Sequence, residues 1–197
     1  NLKAHYRLAI LESKENNLEA ASTHFNHVTE AEPTDPEEHF MKSASLVRMA
    51  ELAQNKNDEK RAVTLLIAAT EAYNQNMEAW MALASHYVRT NDSGRAIKAL
   101  EKVLELDAES ALAHNNLAAV YARSGNTKEA LKHFEILVQL QPTNHQAYYN
   151  LGMMQMKLGQ ADAARKSLSK ALEINPNYAL AANALEKLSP QQTENTP

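Results

Sequence analysis

The sequence predicts an all-α protein built as a stack of helical hairpins, and three observations carry that expectation. Ala, Leu, Glu, Lys, Asn and Gln are plentiful against only 4 Gly and 6 Pro, a balance that favours helices over a turn-rich sheet. Apolar residues recur at offsets of three and four, the spacing of one helix face. From Met77 onward the pattern itself recurs every 34 residues, and a period of about 20 to 50 decides an architecture before any single element is read.

Composition sets the outer bounds. With 44% hydrophobic and 22% charged residues, a chain of 197 has the apolar content of a globular protein. Twenty basic against 24 acidic side chains give a net charge of −4, which argues against nucleic acid as a partner, since phosphate binding needs clustered positive charge. Residues 1–76 carry 8 basic and 12 acidic side chains and residues 77–197 carry 12 of each, so an acidic partner is expected to prefer the second part. The absence of Cys excludes disulfides, thiolate catalysis and Cys-ligated metal sites, and leaves the compartment open between cytoplasmic and periplasmic or extracytoplasmic. No run approaches the ~20 apolar residues of a membrane span, and no signal sequence opens the chain. Because the first residue is Asn1 and not Met, we expect an upstream segment, a signal peptide or an anchor, that was trimmed or processed away.

In chain order, residues 2–35 form the first unit of the repeat, with Leu8, Ala9, Ala21, Phe25, Val28 and Pro33 in the matching places. Residues 36–76 form an irregular second unit of 41 residues, in which Met49, Ala50, Ala62, Leu66 and Ala69 match and Asn74 stands where Pro is expected. The seven surplus residues are about two helical turns, so a longer first helix absorbs them in phase, and Asp35, Pro36, Glu37 and Glu38 make a strong start for it.

Residues 77–110, 111–144 and 145–178 align without gaps. Their first halves superpose Trp80, His114 and Tyr148, then Leu83, Leu117 and Leu151, then Ala84, Ala118 and Gly152, then Tyr87, Tyr121 and Gln155. Their second halves superpose Ala96, Ala130 and Ala164, then Leu100, Phe134 and Leu168, then Val103, Leu137 and Ala171. Thr90 to Ser93, Ser124 to Thr127 and Leu158 to Gln160 hold residues that end one helix and cap the next, and Pro142 and Pro176 stop the second helices. Residues 178–188 read as a capping helix with Ala181, Leu185 and Leu188 on one face, and the polar tail 189–197 reads as disordered.

This pattern resembles the tetratricopeptide repeat, a 34-residue motif with an aromatic, then Leu and a small residue, Tyr, Ala, Phe, Ala and Pro. The resemblance implies a single domain over residues 2–188, a right-handed superhelical α-solenoid of helix-turn-helix repeats, and a role as a protein-interaction scaffold. It also implies that the first helices of successive repeats line a concave groove.

Residues free of packing duties become the candidate contacts. Asn116 and Asn150 stand just before the core Leu of their repeats, where an amide offers both donor and acceptor to an extended peptide, or merely solvates the helix. Arg89, Arg123 and Lys157 recur at the repeat spacing, either as a basic wall for carboxylates or as cations that suit helix C-termini. Met81, Ser85, Asn115, Tyr149 and Met153 point to the same side; Tyr149 with Met153 and Met156 gives an adaptable apolar patch, and contact with the capping helix or the preceding repeat is the alternative for the two Met. The family's carboxylate clamp would need Lys, Asn and Arg at places occupied by Met81, Ser85, Asn116, Gln146 and Asn150. Only Asn116 fits, which disfavours a chaperone-tail adaptor.

Chemistry is not signalled. Among eight His residues, His24 and His27 are three apart, but the repeat frame supplies no third metal ligand and no H-E-x-x-H occurs. His5 and His114 occupy aromatic places and read as packed imidazoles. Phosphate-binding glycine loops and nucleophile elbows are absent, so neither an enzyme nor a cofactor site is expected. Alternatives to a groove-binding adaptor are the repeat portion of a larger membrane-anchored or secreted assembly factor or enzyme, and a self-assembling homo-oligomeric scaffold.

Overall fold

In the computed structural model, residues 1–188 are described; the tail expected to be disordered, 189–197, lies outside them. The described residues form eleven helices and no strand: α1 (Leu2–Lys14), α2 (Leu18–Glu30), α3 (Pro36–Asn55), α4 (Glu59–Ala72), α5 (Met77–Arg89), α6 (Ser93–Leu106), α7 (Ala111–Arg123), α8 (Thr127–Leu140), α9 (His145–Lys157), α10 (Ala161–Ile174) and α11 (Ala179–Leu188). They fall into two compact units, Asn1–Ala108 and the residues from Glu109 onward.

Short polar residues start the helices. Asp35, Asp58, Asp92 and Asn144 each accept a hydrogen bond from a backbone N–H three residues on, at 2.8–3.0 Å. The turn inside each hairpin needs one residue in the left-handed region. Asn16, Asn57 and Asn91 supply it in unit 1 at φ of 63°, 59° and 60°, and Gly125 and Gly159 supply it in unit 2 at φ of 80° and 73°.

In unit 1 the helices pair as α1–α2, α3–α4 and α5–α6, and each later hairpin leans on the one before through α2–α3 and α4–α5. In unit 2, α7–α8 and α9–α10 pair, α8 packs on α9, and α11 covers α10. The small residue that opens each second helix is wholly buried, as Ala21, Ala62, Ala96, Ala130 and Ala164 are all 0% exposed. Small side chains at these places let the paired helices approach closely. Gly152 marks a tighter approach still: a Cβ there would stand 2.8 Å from Leu168 Cγ. Leu8 differs from its counterparts Leu83, Leu117 and Leu151, being 42% exposed where they are buried, because no hairpin stands before α1 among the described residues.

The irregular second hairpin takes up its surplus as helix. α3 has 20 residues against 13 in α1 and α5. The longer helix buries Ser43, whose Oγ donates to the Ala69 carbonyl at 2.7 Å and accepts from Asn76 Nδ2 at 2.8 Å. Asn76 in turn caps α5 through Oδ1, accepting from the N–H groups of Glu78 and Ala79. Trp80 Nε1 donates to the Asn74 carbonyl at 2.8 Å, which ties down the loop where the closing Pro is missing.

Candidate partner-binding surface

The candidate contacts divide between the units. In unit 1, α5 carries Met81, half-buried, and Ser85 and Arg89, both exposed. Arg89 already has a partner: its guanidinium binds the Glu59 carboxylate, with Nη2 to Oε2 at 2.9 Å, and His86 Nδ1 lies 3.4 Å from the same carboxylate. The hydrogen bond from Arg89 holds the Glu59 carboxyl below its ordinary range, and burial, reinforced by Arg89, keeps the His86 imidazole below its own. Arg89 therefore joins α4 to α5 through an ion pair while its side chain stays half exposed.

In unit 2, α7 carries Asn115 and Asn116, both half-buried, and Arg123, exposed; α9 carries Tyr149, Asn150 and Met153, all half-buried, and Lys157, exposed. Asn115 and Gln146 line one small cavity of about 170 Å³, so the two helices face it together. Among the described residues, the side chains of Asn116 and Asn150 make no hydrogen bond within the chain. Other amides do: Asn144, Asn76 and Gln155 are all engaged. Tyr149 meets Tyr178 edge to face at 5.4 Å, and with Met153 and Met156 it packs against the cluster of Leu168, Ala171, Ala181 and Ala184 that α11 closes. The apolar side of this surface thus continues into the packing of the capping helix.

The imidazoles cluster more than the spacing alone indicated. His5 Nδ1 lies 3.0 Å from His24 Nδ1, and the His5 and His27 rings are 4.6 Å apart, so the fold brings a third imidazole beside the pair on α2. The reason is the hairpin crossing, which sets the fourth residue of α1 against the middle of α2. These rings pack on one another, and no group of three or more His, Asp or Glu among the described residues is arranged to hold a metal ion. Unit 2 repeats the arrangement: His114 Nδ1 and His133 Nδ1 are 2.9 Å apart, and Tyr121 stacks on His133 at 5.7 Å. No described helix is long and apolar enough to cross a membrane.

Sequence reading missed one concavity. A pocket of about 690 Å³ lies in unit 1 among α2, α3 and α4, lined in part by Leu18, Leu52, Lys56 and Arg61. The signal was available in Leu18, an aliphatic residue at the start of a second helix, where the other repeats have Glu59, Ser93, Thr127 and Ala161.

Comparison with known proteins agrees with this architecture. A family model described as Tetratricopeptide repeat matches residues 47–111 and 81–145, and a second model of the same description matches residues 145–178. No curated protein matches the sequence. Among solved structures, the chain is similar to MamA, with 21% identity over 90% of this chain and 93% of that one and a TM-score of 0.72. It is also similar to YrrB, described as a TPR protein with an unusual peptide-binding site, with 22% identity over 92% and 90% of the two chains and a TM-score of 0.73. The first TPR domain of Spaghetti (RPAP3), bound to the HSP90 peptide SRMEEVD, aligns at 24% identity over 58% of this chain and 91% of its own, with a TM-score of 0.55. All-helical throughout its described residues, and matched by its repeat models from residue 47 to residue 178, the chain belongs to the tetratricopeptide repeat family.

Proposed function

We propose that this protein is an interaction scaffold that binds a peptide segment or partner protein on the surface made by the first helices of its repeats, and that it is not an enzyme. The observation that carries this reading is the pair Asn116 and Asn150, half-buried amides one repeat apart whose hydrogen-bonding groups have no partner within the described chain. A half-desolvated amide gains most from a partner that supplies both a donor and an acceptor, which is what the backbone of an extended peptide presents. Lys157 and Arg123, at the exposed ends of the same helices, add positive charge suited to a carboxylate. Asn115 serves as an adaptable contact on α7, and Met81 and Ser85 are the corresponding candidates on α5 of unit 1. Membership of a repeat family whose solved relatives include a peptide-binding protein and a peptide complex supports the same assignment.

Co-purification tests it. The Asn116→Ala, Asn150→Ala, Arg123→Glu variant is expected to lose the partners that wild-type protein retains while keeping its helical circular dichroism. A variant that kept every partner would remove the surface from consideration.

A further inference from the structure

Two junctions between successive hairpins lie within unit 1, and they are built differently. At the second, Glu59 opens α4 and reaches His86 and Arg89 on α5, closing the junction with charge. One hairpin earlier, the same three places hold Leu18, Leu52 and Asn55. No latch forms there, and the pocket of about 690 Å³ occupies the position.

Its chemistry is two-sided. Leu18, Met49, Leu52 and Ala53 give it an aliphatic floor, and Lys56 and Arg61 stand at its edge, both exposed and neither in an ion pair among the described residues. Glu19 is the single acidic residue lining it, so two cations face one carboxylate. This local excess of positive charge sits in the part of the chain, residues 1–76, where 12 acidic side chains outnumber 8 basic ones. The volume falls within the range of roughly 300–1,000 Å³ that suits ligand sites. An aliphatic side chain would bury against the floor, with Met49 adapting its shape, while a carboxylate beside it would pair with the Arg61 fork and the Lys56 ammonium.

We propose that this pocket is a second binding site, for a peptide segment in which an aliphatic side chain stands next to a carboxylate. It is independent of the surface assigned above, since its residues come from α2, α3, α4 and the turn between the last two, with none from α5, α7 or α9.

Selection of a random heptapeptide display library on the immobilised full chain, followed by fluorescence anisotropy of the enriched peptides, tests the proposal. The comparison protein is Lys56→Glu with Arg61→Glu; both side chains are exposed, and a thermal melt by circular dichroism checks that the variant folds. Enriched peptides are expected to pair an aliphatic residue with Asp, Glu or a terminal carboxylate. They should lose about tenfold or more in affinity on the double variant, and keep their affinity for Asn116→Ala with Asn150→Ala. Three outcomes overturn the site: no enrichment, equal binding to the double variant, or loss of binding only on the asparagine variant. The last would leave the first surface standing and this one without a ligand.

Discussion

His114 and His133 face each other across the fourth hairpin with their Nδ1 atoms 2.9 Å apart, a distance that works only while one nitrogen donates and the other accepts. Burial, then the neighbouring His114, holds the His133 imidazole below its ordinary value, with Glu129 opposing and Lys132 assisting that shift. A folded-state pKa below the unfolded one means that the unfolded chain takes up protons first as the pH falls. The stabilisation is complete above the unfolded pKa and is lost progressively as acid carries the pH below it. The midpoint of thermal unfolding is therefore expected to fall between about pH 7.5 and about pH 5.5. His5 and His86, both lowered mainly by burial, push in the same direction. The third hairpin shows how to remove the effect: its equivalent places hold Trp80 and Ala99, a large ring over a small residue. His114→Trp with His133→Ala should flatten the pH dependence measured by circular dichroism, without abolishing the part due to the other two. An unchanged curve would show that this pair does not control acid sensitivity.

At the scale of the element, α3 shows what a repeat can absorb. Aligning Ala50 with Ala9 sets residue 43 against residue 2, so the surplus is residues 36–42, the first two turns of the helix. Those turns hold on to their surroundings: Lys42 Nζ donates to the Ala31 carbonyl at 2.9 Å, His39 Nδ1 lies 3.1 Å from the Ala72 carbonyl, and Glu37 pairs with Lys3. Just after them comes Ser43, joined to Asn76 at the start of α5. Asn76→Ala should cost about 2–3 kcal/mol, because it removes a helix cap and leaves a wholly buried hydroxyl with one partner fewer; chemical denaturation measures it. The helix, its start and its phase were legible in the sequence, since seven residues and an apolar column of fixed spacing determine them. The Ser43–Asn76 bond was not. Its ends lie 33 residues apart, and neither residue type signals burial by itself. The His5 contact with His24 and His27 escaped for a related reason: periodicity reports which face of a helix is apolar, and it does not say which residue of the partner helix crosses it. Among the candidate contacts, the recurrence of Asn116 and Asn150 was readable, whereas the capture of Arg89 by Glu59 required the neighbouring hairpin to be in place.

On the scale of the whole molecule, the chain divides at Ala108, and each unit has its own buried cluster. Ala9, Ala21, Phe25 and Met49 pack together in the first; Phe134, Leu137, Leu151 and Met154 do so in the second. Produced separately, residues 1–108 and residues 109–197 are each expected to give a helical far-ultraviolet spectrum and a cooperative melt. A fragment that stayed unfolded would show that its core depends on the other. Within a unit, the substantial helix contacts join elements one or two places apart in the chain. Among the described residues, no distant segment is sewn back across a unit. Held by its two ends and stretched, such a unit has no single clasp on which the load concentrates. It would yield in a series of small steps, one hairpin peeling from the next, and recover in the same way when the force is released.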